Sequence, residues 1–193
     1  MVGRFIGTTD VGLSPLGHHQ AAAIGAYLAD SPIDALVSSP RKRSLDTISP
    51  LAKAKGMKLD VHADMEEMHF GEWEGLDWAE IVERDGDAAR AWERNPATIP
   101  PPGGESGLEF QERVTGALDG ILHEYRGRTV VVAAHAGTNR AILSHVLKRP
   151  YMDCFVFAQD YGCVNAAGWD ERGFGQVALL NFVPGPRAEN QGD

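Results

Sequence analysis

Two junctions between an apolar run and a helix-forming stretch carry residues able to handle an anion. In one, Val130-Val-Val-Ala-Ala134 ends in His135, followed by Ala136, Gly137 and a helical pattern. Ligands of open α/β sheets bind beyond the carboxyl ends of strands, and helix N-termini present unpaired N–H groups that favour negative charge. His135 therefore stands where an anion would be held. In the other, Leu36-Val-Ser-Ser39 leads through Pro40 into a helix whose first turn carries Arg41, Lys42 and Arg43. Cations there oppose the helix dipole, at roughly a few tenths of a kcal/mol each, and a bound phosphate would offset that cost. Spacing alone leaves the plainer alternative open: solvated surface charges and an ordinary strand-end histidine.

The elements that must position these residues can be read from local signals. Ser14 as N-cap and Pro15 at the first helical position open a helix, and Leu16, Ala23, Ile24, Tyr27 and Leu28 recur along it at helical spacing. A strand is expected over Asp34–Ser39. Pro50, which lacks an N–H and crowds residue 46, should kink or end the helix after Pro40. Residues 76–94 read as short helices with Trp78, Ile81 and Trp92 inward, and Pro100–Gly104 as a loop. Ser106 with Glu109 is a capping-box signature, and Phe110, Val114, Leu118, Ile121, Leu122 and Tyr125 form the stripe of the helix it starts. Thr129–Ala134 reads as a strand buried on both faces. A helix follows from about Thr138 to Leu147, and β-like runs close the chain near 154–157 and 176–183. Strand–helix alternation of this kind makes an α/β domain with a mostly parallel sheet.

Composition narrows the class of function. The chain has 193 residues and a formal net charge of −9, with 43% hydrophobic and 23% charged residues, which excludes disorder for its body. A pI near 5.2 argues against nucleic-acid or anionic-membrane partners, which need a basic field, but leaves room for a small anionic substrate in a local positive pocket. Cys154 and Cys163 form neither a disulfide framework nor a CxxC site and read as buried, reduced and structural. With no membrane-length apolar run and no signal-peptide pattern at residues 1–20, a soluble, cytoplasmic protein is expected. Residues 1–183 are expected to form one domain, and the tail Pro184–Asp193 to be disordered.

Five stretches, in order, resemble the histidine phosphatase superfamily of phosphoglycerate mutase-like proteins. Gly3-Arg-Phe-Ile-Gly-Thr-Thr-Asp-Val-Gly-Leu-Ser14 with Gly17, Gln20 and Ala21 is similar to its GRxxGxxDxxLSxxGxxQA loop. Residues 36–47, with Ser38-Ser-Pro-Arg-Lys-Arg43, resemble its SSPxxRAxxTA segment. Glu67-Met-His-Phe-Gly-Glu-Trp-Glu-Gly75 matches ExxFGxWEG, Pro102-Gly-Gly-Glu-Ser106 with Arg113 matches PxGES and the arginine after it, and Val131-Val-Ala-Ala-His-Ala-Gly-Thr-Asn-Arg140 matches VVxHxGxxR. The resemblance implies a three-layer fold, a mostly parallel sheet with helices on both faces, and phosphoryl transfer through a phosphohistidine, with no cofactor and no metal. His62, Asp64, Glu66 and His69 superficially suggest a metal site, but no His-x₃-His pair or cysteine supports one.

By the same resemblance Arg43 would clamp the phosphoryl oxygens, His135 would stabilise the group in flight, and Glu67 would act as general acid and then base. Arg4 and the backbone N–H groups of Gly7, Ala136 and Gly137 would touch the phosphate. The family's nucleophilic histidine belongs to an Arg-His-Gly motif at the end of a first strand, just before the GRxxG loop. Here Met1 and Val2 precede Gly3, so that strand and motif are expected to be absent and the chain as written to be catalytically silent. The trimmed motifs are most similar to the α-ribazole phosphatase-like branch of cobalamin assembly. A phosphoglycerate mutase-like enzyme and a non-catalytic phosphate-binding module are the alternatives.

Overall fold

The computed structural model describes residues 3–186. Strand β1 (Ala35–Ser38), every residue of it buried, is the centre of a parallel three-stranded sheet, with β2 (Leu59–Val61) and β3 (Val130–Ala133) at its sides. Successive side chains of a strand point to opposite faces, and this alternation divides two cores. On one face Leu36, Val131 and Ala133 pack with Ile48 and Leu51 of α2 (Lys42–Lys55) and Leu28 of α1 (Pro15–Leu28). On the other, Val37, Val130 and Val132 meet Leu118 and Ile121 of α4 (Gly107–Glu124) and Ile142 of α5 (Ala136–Val146). This is the expected α/β arrangement of helices on both faces of a parallel sheet.

The sheet departs from expectation at one edge. Among the described residues β3 pairs with β1 alone, while β4 (Val164–Trp169) and β5 (Gly175–Phe182) form a separate antiparallel pair. The apolar run of β3 is therefore an edge strand of half-buried residues, rather than a strand buried on both faces. The first strand of the family pattern does not occur among the described residues.

Local signals hold where they are self-contained. Ser14 accepts from the Gly17 N–H, and Ser106 and Glu109 close a full capping box. Two expectations fail for tertiary reasons. Helix α2 does not end at Pro50 but runs on to Lys55 and closes on Gly56 at φ 63°. The Pro50 ring sits against Gly25 of α1, where a Cβ would come within 3.1 Å of it, and this close packing offsets the lost hydrogen bond. The short helices expected over residues 76–94 do form: α3 (Trp78–Arg94) is two helical pieces joined at Asp85, whose backbone is non-helical (φ −130°, ψ 40°) and whose carboxylate accepts from Trp73 Nε1 at 2.9 Å. The run near 154–157 is not a strand: Tyr151–Val156 is a 3₁₀ helix that turns Tyr151 and Cys154 inward at i, i+3 and leaves Val156 exposed.

Cys154 is buried, whereas Cys163 is only half-buried beside Gln159. Of the tail, residues 187–193 lie outside the described residues, and Pro186 accepts a hydrogen bond from Gln20 of α1 at 2.9 Å. No helix among the described residues is long and apolar enough to cross a membrane.

Phe110 of α4 is 1% exposed among Met68, Val114, Tyr151 and Cys154, directly beneath the segment that carries Glu67. Phe110→Ala is expected to cost about 3–5 kcal/mol of unfolding free energy. Leu108→Ala, at a position 47% exposed, should cost less than about 1 kcal/mol. Urea midpoints of the two variants check this; equal shifts would contradict the placement of the core.

Candidate active site

Strands β1 and β3 run parallel in register, Ser38 opposite Ala133, so their carboxyl ends open on one edge of the sheet. Beyond β1 the chain turns at Pro40 into α2, whose Lys42 N–H is capped at 2.8 Å by Asp10 from the loop before α1. Beyond β3 it turns at His135, the extended N-cap residue of α5. Arg43 and His135, 92 positions apart in sequence, meet here: Arg43 Nε donates to His135 Nδ1 at 3.1 Å. The other two guanidinium nitrogens donate to the loop before α1, Nη1 to Thr9 O and Nη2 to Gly7 O, each at 2.8 Å.

An arginine N–H can only donate, so Nδ1 of His135 is the accepting nitrogen and the ring proton sits on Nε2. Nε2 faces Ser39 Oγ at 2.8 Å and Ser44 Oγ at 3.4 Å. Burial, and after it the positive charges of Arg43, Arg41 and Arg113, push the imidazole pKa down to about 3. The resting histidine is neutral. Arg43 is drawn below its ordinary value by burial, against the attraction of Glu67, yet a guanidinium keeps its charge in proteins.

Glu67 lies against the head of α5. Its carboxyl accepts from the Met68 N–H and the Gly137 N–H, each at 2.9 Å. Gly137 permits this approach, since a Cβ there would fall 2.2 Å from Glu67 Oε1. Burial raises the Glu67 pKa, outweighing those two donors and the charges of Arg43 and Arg140. Behind it, Arg113 grips Glu105 bidentately and donates to the carbonyls of Asp64, Glu66 and Glu67. Arg41 pairs with Glu66 at 2.6 Å, so the neighbour of Glu67 is tied to a different cation.

The structure thus brings Arg43, Glu67 and His135 together, and gives the other expected site residues Gly137, Gly7 and Arg4 partners within the protein. The Gly137 N–H is engaged by Glu67. The Gly7 N–H is engaged by the carboxylate of Glu74, at 3.1 and 3.2 Å. Arg4 does not face the cluster: it donates to Gly75 O and to Glu80, 2.9 Å away, and closes a bridge to Asp77, because this acidic start of α3 is the nearer anion. The Ala136 N–H, at the helix head, has no hydrogen-bond partner among the described residues. Glu74, Ser39 and Glu105 gained no role from sequence, although all three stand inside the quoted motifs. The signal was there for Glu74: a carboxylate placed one residue before a glycine turn, with a run of glycine and threonine N–H groups elsewhere to receive it.

A neutral imidazole, a permanent cation, a carboxyl biased toward its protonated form and an unpaired helix N–H around one point suit a group that carries negative charge and needs a proton on leaving. Comparisons with known proteins agree. The model of the histidine phosphatase superfamily (branch 1) matches residues 2–182. The bifunctional protein Rv2228c of Mycobacterium tuberculosis is 35% identical over 179 residues, covering 92% of this chain and 49% of that protein, so the chain spans about half of that relative's length. Phosphoserine phosphatase 1 of Hydrogenobacter thermophilus is 31% identical over 166 residues, 86% of this chain and 77% of that one. The crystal structure of the alpha-ribazole phosphatase from Shigella flexneri shares the fold at a TM-score of 0.88 and 21% identity, over 97% of this chain and 92% of that one. With five motifs in order and a family match over nearly its whole length, this chain belongs to branch 1 of the histidine phosphatase superfamily.

Proposed function

We propose that Arg43, Glu67 and His135 hold the phosphoryl group of a small phosphomonoester and that the chemistry of this site is hydrolysis through a phosphohistidine. The observation that carries the reading is the 3.1 Å contact of Arg43 Nε with His135 Nδ1 at the head of α5. Arg43, held by Gly7 O and Thr9 O, would offer the remaining N–H of each Nη to the phosphoryl oxygens, and the incoming negative charge would draw a proton onto His135, reversing the resting bias of its surroundings. In the first step a histidine nitrogen bonds to phosphorus while the ester P–O bond breaks, and Glu67 gives its proton to the departing oxygen. In the second, Glu67 takes a proton from water as the water oxygen bonds to phosphorus and the N–P bond breaks.

None of the other six histidines makes a hydrogen bond with Arg43 or His135 among the described residues; His18, His19 and His123 are exposed, and His145 pairs with Asp119 at 3.2 Å. We therefore take these 193 residues to bind phosphate without turning a substrate over. Extension at the N-terminus by a strand ending in Arg-His-Gly should confer turnover. Motif likeness favours α-ribazole phosphate as the substrate. Phosphoserine, the substrate in the name of one relative, is the comparison to run beside it.

In such an extended chain, Glu67→Gln is expected to slow alkyl phosphates by on the order of 10²–10⁴-fold and activated aryl phosphates far less, because a poor leaving oxygen needs the proton in the transition state. Steady-state rates on both substrate types check this; equal losses would count against Glu67 as the acid. Glu66→Gln serves as the comparison, since Glu66 is held by Arg41.

The protonation states also give a stability test. His135 titrates near pH 3 when folded, against an ordinary 6.5, so its contribution to stability is present above pH 6.5 and is lost as pH falls through that window. Glu67, raised in the fold, runs the other way: its contribution is present at low pH and lost as pH rises past its ordinary value. Between pH 6.5 and 4.5 the Tm of His135→Gln is therefore expected to fall less steeply than that of the unaltered chain. Parallel melting curves across that range would contradict a buried, neutral His135.

A further inference from the structure

Glu74 is occupied in an unusual way. Its carboxylate receives the N–H groups of Gly7 at 3.1 Å, Thr8 at 2.8 Å and Thr9 at 3.2 Å, together with the Thr9 hydroxyl at 2.8 Å. A weaker contact comes from the Phe70 N–H at 3.4 Å. The same short loop turns two carbonyls the other way, Gly7 O and Thr9 O, and both accept from Arg43. The peptide groups of residues 7–9 therefore lie between an anion on one side and a cation on the other. Hydrogen bonds that end on charges are the strong ones, and bonds linked in series polarise one another. Gly7 lets the loop come this close, since a Cβ there would lie 1.8 Å from Met68 O and 2.6 Å from Glu74 Oε1.

We propose that Glu74 is a positioning residue: it orients the carbonyls of residues 7–9 so that they aim the Arg43 guanidinium at the phosphoryl site. The proposal rests on Arg43 being the phosphate clamp. Without the carboxylate, the N–H groups lose their common acceptor and the peptides are free to rotate. Arg43 then keeps its bond to His135 but loses the two fixed carbonyls that set the plane of its fork. Glu74→Gln is the severe change, because the amide offers one acceptor oxygen and turns an NH₂ toward N–H donors. Glu74→Asp keeps the charge and withdraws it by one methylene.

The test is a double-mutant cycle on the 193-residue chain, read as the affinity for inorganic phosphate by titration calorimetry. Unaltered chain, Glu74→Gln, Glu74→Asp, Arg43→Ala and the Glu74→Gln/Arg43→Ala pair are compared, each with its melting temperature. Glu74→Gln is expected to weaken phosphate binding at least about tenfold when Arg43 is present and less than about twofold when it is already alanine, with Glu74→Asp falling between. Equal weakening in both backgrounds, tracking the melting temperature, would show a loop staple and overturn the proposal, as would unchanged affinity in Glu74→Gln. If Glu74→Gln does not fold, Glu74→Asp carries the same comparison in both backgrounds. Failure of the unaltered chain to bind phosphate at all would overturn the phosphoryl site itself, and the proposal with it.

Discussion

Everything at the candidate site hangs on the parallel pairing of β1 with β3. That pairing sets Ser38 beside Ala133, and so starts α2 and α5 from adjacent points on one edge of the sheet. A helix head is a place where backbone N–H groups go unpaired, and two heads side by side make a natural anion site. The charged side chains follow from that geometry. Arg43, on the first turn of α2, reaches the ring at the head of α5, and the loop of residues 7–9 supplies carbonyls for the rest of its fork. A cation placed at a helix head opposes the dipole there. Here the acceptors around it, His135 Nδ1, Gly7 O and Thr9 O, together with the charge of Glu67, offset that cost.

Three nearby carboxylates show how the surroundings divide labour among like groups. Glu74 is partly buried, which raises its pKa, but the N–H and hydroxyl donors of Thr8, Thr9 and Gly7 outweigh that and leave it low, so it stays ionised. Glu66 is held by Arg41 at 2.6 Å. Glu67 accepts two N–H bonds, yet burial wins and its proton is held more tightly than usual. One ionised group orders a loop, one pairs with a cation, and one is left able to trade a proton. Environments that push the pKa values of neighbouring acids apart are what acid–base roles require.

The parts of this arrangement that could be read from sequence are those encoded within one turn or one strand. Ser14–Pro15 and Ser106–Glu109 announce helix starts because the donors they satisfy lie within three residues. The meeting of Arg43 with His135 followed from the rule that parallel strands open on a common edge. What could not be read is which anion claims which donor. The N–H groups of Gly7 and Gly137 were expected to wait for phosphate, but Glu74 and Glu67, 67 and 70 residues away in sequence, take them. Arg4 likewise goes to Glu80 rather than to the site. Such contests between equivalent partners are decided by packing, as are the passage of α2 through Pro50 and the edge position of β3. Local pattern carries no information about them.

On the proposed function, one phosphate-sized anion is held jointly by Arg43, His135 and the head of α5. A crystal structure of this chain grown with orthovanadate tests it most directly. Vanadate oxygens are expected within hydrogen-bond distance of the Arg43 guanidinium, the His135 ring and the Ala136 N–H, with the Glu67 carboxyl beside them and Glu74 still seated in the loop of residues 7–9. Vanadate bound elsewhere, or seated in that loop with Glu74 displaced, would contradict it.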